Sequence, residues 1–233
     1  MNESNREYQK AIDYLYKLIE SGELTLGSKL PTERYLSEQL SISRNSTREA
    51  LRMLENMGVI ESRRGSGNYL VGNISRTITG VIDMMLLLHQ TNKDEICSFR
   101  RNMDKSICLS IIENHTIDRW IDPLTQILKQ ASTMPSDTLQ VELDRKFHYT
   151  LIQATENQFW ITLSEAIADA YRHFIESALH HADESVKAQL YQSHIAIMDS
   201  LIKGDRTQCE VAIDHHYNLV DQQLQKEELS HEL

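Results

Sequence analysis

The sequence predicts a mainly α-helical chain in two parts: an N-terminal winged helix-turn-helix and a C-terminal antiparallel all-α bundle of six to seven helices. Two observations carry this. Between Pro31 and Val71 the residues read as helix, tight turn, helix and then a hairpin around a glycine-rich tip. Beyond Gly80 the chain has one glycine, Gly204, and two prolines, Pro123 and Pro135, which is a composition for long helices with few tight turns.

Residues 1–6 read as a frayed terminus. Tyr8, Ile12, Leu15, Leu18 and Ile19 recur at helical spacing, so a first helix fills 7–21 and Gly22 ends it. Thr32 is positioned to cap a short second helix with Leu36 and Leu40 inward. The link Ser41-Ile42-Ser43 allows only a tight turn. Ser43 then caps a third helix by accepting from free amides of its first turn, and Gly58 stops that helix as a left-handed cap. Two short strands follow, Val59–Arg64 and Asn68–Val71, around Gly65-Ser66-Gly67. Gly72–Ser75 is a linker, which divides the chain into domains 1–73 and 74–233. In the second domain the pattern predicts helices over 76–90, 94–114, 117–133, 137–155, 158–181, 185–203 and 206–228. Gly204 ends one helix, Asp205 caps the next, and Gln208 completes a capping box. Short joints between long helices favour an antiparallel bundle. The tail Lys226–Leu233 is polar and reads as loose.

With 233 residues, 40% apolar and 25% charged, the composition is that of a soluble globular protein with one large or two ordinary domains. The longest apolar run, Met84–Leu88, is far too short to span a bilayer, and no signal peptide is read before the first helix. Cys97, Cys108 and Cys209 form no CxxC pair and sit in helix-like apolar registers. They are expected to be buried free thiols in a reducing cytoplasm. The net charge of −10 is unevenly spread. Residues 1–73 hold 10 Lys/Arg and 10 Asp/Glu, and the remainder holds 14 against 24. The acidic part suits neither nucleic acid nor an anionic membrane. The neutral part binds DNA only if its positive charge is clustered.

It is clustered. On the third helix Arg44, Arg48 and Arg52 share one face with Asn45 beside it, and Ala50, Leu54 and Met57 lie opposite. The planar fork of arginine suits phosphates and guanine edges. A solvated charged face explains such a helix on its own. The flanks tip the balance, because Arg63 and Arg64 lie at the tip of the following hairpin and both basic elements can face one duplex.

A second constellation lies in the bundle. Asp144 and His148 are four apart on one helical face, which alone is an ordinary i,i+4 pair. His194 and His216 each lie about 11 residues from the Gly204-Asp205 hinge, so an antiparallel helix pair brings them level. Three imidazoles and a carboxylate suit a borderline divalent ion such as Zn²⁺, Ni²⁺ or Mn²⁺. Four protein ligands fill a tetrahedral ion, and an octahedral ion keeps positions open. The chain has ten histidines, and spacing does not choose between His215 and His216.

The first 70 residues resemble the GntR family of bacterial transcription regulators. The resemblance runs through Ser21-Gly22-Glu23-Leu24, Gly27–Arg34, Ser43-Arg44-Asn45, Arg48–Leu51, Leu54, Gly58 and Arg64–Gly67. It implies base or backbone contacts from Arg34, Arg44, Arg48 and the Arg64–Gly65 tip, with phosphate contacts from Thr32 and Thr47. Asp144, Phe147, His148, Asn157, His194, Gly204-Asp205 and His216 look like the metal-binding FCD effector domain of the FadR-like subfamily. That resemblance implies Asp144, His148, His194 and His216 as ligands, favouring His216 over His215. It implies effector contacts from Arg100, with Arg101 the near alternative, and from Asn157. Cys209 stands where the family usually has alanine, and residues 76–140 are only weakly similar.

Together these readings describe a non-enzymatic DNA-binding regulator, a repressor, acting as a homodimer on an inverted-repeat operator. A small carboxylate at a metal-containing site would control it. The alternatives are a metal-free regulator responding to an acyl thioester, a sensor for the metal itself, and a metal-dependent enzyme that activates water. No general base or nucleophile motif accompanies the four ligands.

Overall fold

The computed structural model describes residues 3–133 and 137–231. Residues 1 and 2, the joint at 134–136 with Pro135, and residues 232 and 233 lie outside the described residues. Contacts divide the chain into two compact units, Met1–Ile78 and Thr79–Leu233.

The first unit runs α1 (Glu3–Glu20), α2 (Glu33–Leu40), α3 (Arg44–Asn56), β1 (Ile60–Arg63) and β2 (Gly67–Leu70). The helix α1 starts at Glu3, earlier than the expected frayed end allows. Thr32 caps α2 by accepting from Tyr35 N, and Ser43 caps α3 by accepting from Ser46 N. Ala11, Leu15, Leu36, Ala50 and Leu54 meet in the core of this unit. Met57 does not join them: it is 44% exposed at the C-cap of α3. The strands pair antiparallel with Ile60 opposite Leu70 and Arg63 opposite Gly67. Sequence reasoning missed a third edge. Ser28 O accepts from Leu70 N (2.9 Å) and Leu30 N donates to Asn68 O (2.8 Å), so residues 28–30 line the other side of β2.

The second unit holds most of α4 (Ser75–Leu87), in which the division between units falls, then α5 (Lys93–Asn114), α6 (Ile121–Thr133), α7 (Asp137–Ala154), α8 (Gln158–His181), α9 (Glu184–Lys203) and α10 (Arg206–His231). The stretch expected as one helix from 117 begins as a 3₁₀ turn, Ile117–Trp120. The last helix continues to His231, past the expected start of a loose tail at Lys226. Gly204 ends α9 in the left-handed conformation (φ 66°), and Asp205 accepts from Gln208 N (3.0 Å). The reciprocal half of that capping box is absent, because Asp205 N donates to Ser200 O instead (2.9 Å). The helix α10 packs along α9, α5 and α8. It runs antiparallel to α5, with Lys105 on Asp214 (2.7 Å) and Arg206 on Glu113 (2.7 Å). Ile107, Ile111, Leu124, Phe147, Ile197 and Tyr217 fill the core around which the polar cluster is built. All three cysteines are free and buried.

Candidate metal centre and nucleic-acid surface

Three helices supply the cluster. Asp144 and His148 stand one turn apart on α7, His194 comes from α9 and His216 from α10. One ligand atom from each lies within 4.8 Å of the others. His194 Nε2 is 3.2 Å and His148 Nε2 3.8 Å from Asp144 Oδ1. His216 Nδ1 hydrogen-bonds Ser193 Oγ at 3.0 Å, leaving its Nε2 for the cluster. His216 is buried and His215 is exposed.

The electrostatics prepare these groups. Burial, then the neighbouring His194 and His148, push the His216 imidazole well below its ordinary value. Burial likewise lowers His194, and Asp144 offsets this only in part. Burial opposes the charge on Asp144, but His148 and then His194 outweigh it and hold the carboxyl far below the carboxylate range. Neutral imidazoles beside an ionised carboxylate are the protonation states that a cation needs. His194 Nε2 is buried and, though 3.2 Å from Asp144 Oδ1, makes no aligned hydrogen bond, and coordination would satisfy it. Metal–ligand distances of about 2.0–2.2 Å separate facing ligand atoms by at most about 4.4 Å. A set spread over 4.8 Å therefore closes on an ion with a shift of a few tenths of an ångström. The residues fit a divalent metal.

A cavity of about 290 Å³ opens beside the cluster, with Asp144 and His194 in its wall. Apolar groups such as Ile127, Phe147 and Leu190 line much of the rest, with Gln140 and Lys187 among the polar ones. Arg100 does not line it. It is 4% exposed, donates Nε to Tyr217 Oη (3.1 Å) and lies over the Tyr171 ring at 5.0 Å. Arg101 is tied to Asp221 on α10 (2.6 Å). Asn157 is not brought to the cluster either. It is exposed at the N-terminus of α8, where its side chain accepts from Phe159 N and Trp160 N. Ten residues of α7 separate Asp144 from Ala154, roughly 15 Å of helix, and the side chain of Asn157 serves as the cap of α8. Sequence reasoning also missed Asp104. Its Oδ2 lies 2.9 Å from His148 Nδ1 and accepts from Tyr217 Oη at 2.6 Å.

In the first unit, Arg44, Arg52 and Arg64 are exposed and carry no ion pair among the described residues. Arg34 pairs with Glu38 (2.8 Å) and Arg48 with Glu33 (3.1 Å). Exposed pairs of this kind are worth about 0–1 kcal/mol, so a phosphate or base edge can replace the carboxylate. Arg63 is held against the Tyr69 ring at 4.3 Å and to Glu61 at 2.8 Å, leaving Arg64 and Gly65 (φ 73°) at the tip. Thr32 is exposed, and accepting from Tyr35 N leaves its hydroxyl proton free to donate. Thr47 is different: it is 0% exposed and donates its hydroxyl to Ser43 O (3.1 Å). Position four after the cap turns it inward. Glu7 of α1 accepts from Ser46 Oγ (2.8 Å) and Ser43 N (3.3 Å), fixing the start of α3.

Residues 7–70 match the bacterial regulatory proteins of the gntR family, and residues 95–219 match the FCD domain. The HTH-type transcriptional regulator LutR of Bacillus subtilis is 26% identical over 209 residues, covering 88% of this chain and 94% of its own. The HTH-type transcriptional repressor NanR of Escherichia coli K12 is 26% identical over 212 residues, with 88% and 80% covered. A solved GntR structure from Streptococcus agalactiae superposes with a TM-score of 0.70 at 21% identity, covering 91% of this chain and 98% of that one. Among the described residues no helix is long and apolar enough to cross a membrane.

Proposed function

Because the chain belongs to the gntR family of bacterial regulatory proteins and carries an FCD domain, we propose that it is a metal-dependent, carboxylate-responsive repressor. It binds DNA as a homodimer on an inverted repeat through α3 and the hairpin, and senses a small carboxylate in the helical unit. The observation that carries this reading is the convergence of Asp144, His148, His194 and His216 within 4.8 Å at the wall of the cavity. Those four residues would hold a divalent ion (Zn²⁺, Ni²⁺ or Mn²⁺), which would supply a Lewis-acidic anchor for a carboxylate. The protein's own contribution is to favour the neutral form of His194 and His216 and to limit the ligand by size. At about 290 Å³ the cavity sits at the lower end of small-ligand sites, which run to about 300–1,000 Å³. It therefore favours acids of few carbons over a long acyl chain. The relatives are transcriptional regulators and not enzymes.

The test is elemental analysis of protein purified without chelator, followed by operator titration before and after metal removal. About one divalent ion per chain, and an operator affinity that short carboxylates shift only in the metal-loaded protein, are the expected results. Protein that neither carries nor takes up Zn²⁺, Ni²⁺ or Mn²⁺ overturns the metal reading. An operator response to the ion alone, at concentrations where it binds reversibly, makes the protein a metal sensor instead.

A further inference from the structure

We propose that Asp104 is the positioning residue of the metal centre, holding His148 so that its Nε2 faces Asp144, with Tyr217 and Arg100 holding Asp104 in turn. The proposal rests on the metal reading above. Three observations support it. Asp104, on α5, is 6% exposed and belongs to no helix that supplies a ligand. Its Oδ2 is 2.9 Å from His148 Nδ1, the nitrogen turned away from the cluster, and that nitrogen is buried with no aligned hydrogen bond. The hydroxyl of Tyr217 has one proton, which it gives to Asp104 (2.6 Å), so it accepts from Arg100 Nε (3.1 Å). The chain of donors is thus directional: Arg100 to Tyr217 to Asp104, with His148 donating from the other side.

Metal-ligating histidines commonly give their second N–H to a carboxylate, which selects the tautomer and raises ligand basicity. Here the effect is specific, because Nε2 of His148 binds an ion only when the proton sits on Nδ1. An uncompensated carboxylate in this core would be costly, which accounts for the guanidinium placed one hydroxyl away.

The experiment titrates Zn²⁺ against a chromophoric chelator in wild type, Asp104→Asn, Tyr217→Phe, His148→Ala and the double variant Asp104→Asn/His148→Ala. Circular dichroism and metal-free melting check that each folds. Visible spectra of Co²⁺-loaded protein report the ligand field. Asp104→Asn is expected to weaken Zn²⁺ binding about 10–100-fold and to shift the Co²⁺ bands. Tyr217→Phe, which keeps the ring and loses one hydrogen bond, gives a smaller loss in the same direction. In the His148→Ala background the Asp104→Asn change adds nothing. Asp104→Asn binding Zn²⁺ like wild type overturns the proposal alone. An equal loss with and without His148 also overturns it, because Asp104 would then act through the fold. Wild type that binds neither ion overturns the metal reading itself.

Discussion

Adjacent residues on a helix point about 100° apart, and His215 and His216 have opposite environments for that reason. His216 is 1% exposed and tied to Ser193, while His215 faces solvent. His194→Ala and His216→Ala are therefore expected to leave a folded dimer that binds operator yet fails to respond to effector, while His215→Ala behaves as wild type. Operator titration with and without a panel of short carboxylates checks this. A His216→Ala protein that responds normally would exclude His216 from the site. The same burial sets a pH dependence. His194 and His216 are both held below their ordinary imidazole value. Below about pH 6.5 the unfolded chain therefore binds more protons than the folded one, and stability falls as pH falls. The metal competes with protons for the same nitrogens. Metal-loaded protein is accordingly expected to melt above chelated protein at pH 7.5, with the gap closing toward pH 5. A gap that widens on acidification contradicts the histidine ligand set. Asp104 shows where sequence reading stops at this scale. Its role depends on the register of α5 against both α7 and α10, which bring His148 and Tyr217 to it from distant stretches of chain, and no local spacing encodes that.

Within an element, the ends are what local chemistry decides. Gly58 follows α3 at φ 69°, and a Cβ there would lie 2.0 Å from Asn73 O. Gly58→Ala meets both a left-handed backbone, costing roughly 1–2 kcal/mol, and a clash with backbone. The expected result is earlier urea unfolding of the first unit and weakened operator binding, with Zn²⁺ affinity unchanged. Loss of Zn²⁺ affinity as well would mean the two units do not fold independently. On α3 itself, Arg44→Ala and Arg48→Ala are each expected to weaken specific operator binding by about 1–3 kcal/mol if the guanidinium reads a base. Thr47→Val should leave phosphate-dependent affinity nearly intact, since the hydroxyl is turned into Ser43 O. Footprinting at several salt concentrations separates these cases. The helices of the bundle were legible because glycine and proline are scarce beyond Gly80 and the Gly204-Asp205 pair marks a break; the caps Asn157 and Asp183 were not read as such. The pairing of residues 28–30 with β2 was not, because its partners are forty residues distant and the segment has no strand-like alternation. The 3₁₀ turn before α6 was hidden for a related reason: Ile117 is apolar and inward in either helical form.

At the scale of the molecule, the arginines lie in the unit Met1–Ile78 and the Asp/His cluster in Thr79–Leu233. On the proposed function, regulation is a coupling free energy between two sites, and an effector shifts DNA affinity only by its differential affinity for the competent and incompetent arrangements. Couplings of this kind run to about 1–3 kcal/mol, or roughly 5–150-fold in operator affinity. The unit division falls inside α4, a continuous helix from Ser75 to Leu87 preceded by the short linker at Gly72. A coupling carried by the chain itself would have to pass through this segment. A two-fold protein reads two-fold DNA, so the responsive species is expected to be a dimer on an inverted repeat. Insertion of two glycines between Asn73 and Ile74 should therefore reduce the effector-induced change in operator affinity several-fold. Zn²⁺ binding and affinity for an isolated half-site should stay as in wild type. Parallel operator, half-site and Zn²⁺ titrations measure all three. An unchanged effector response in the insertion variant would show that coupling does not pass through this linker, and a lost half-site affinity would show that the insertion damaged the DNA-binding unit itself.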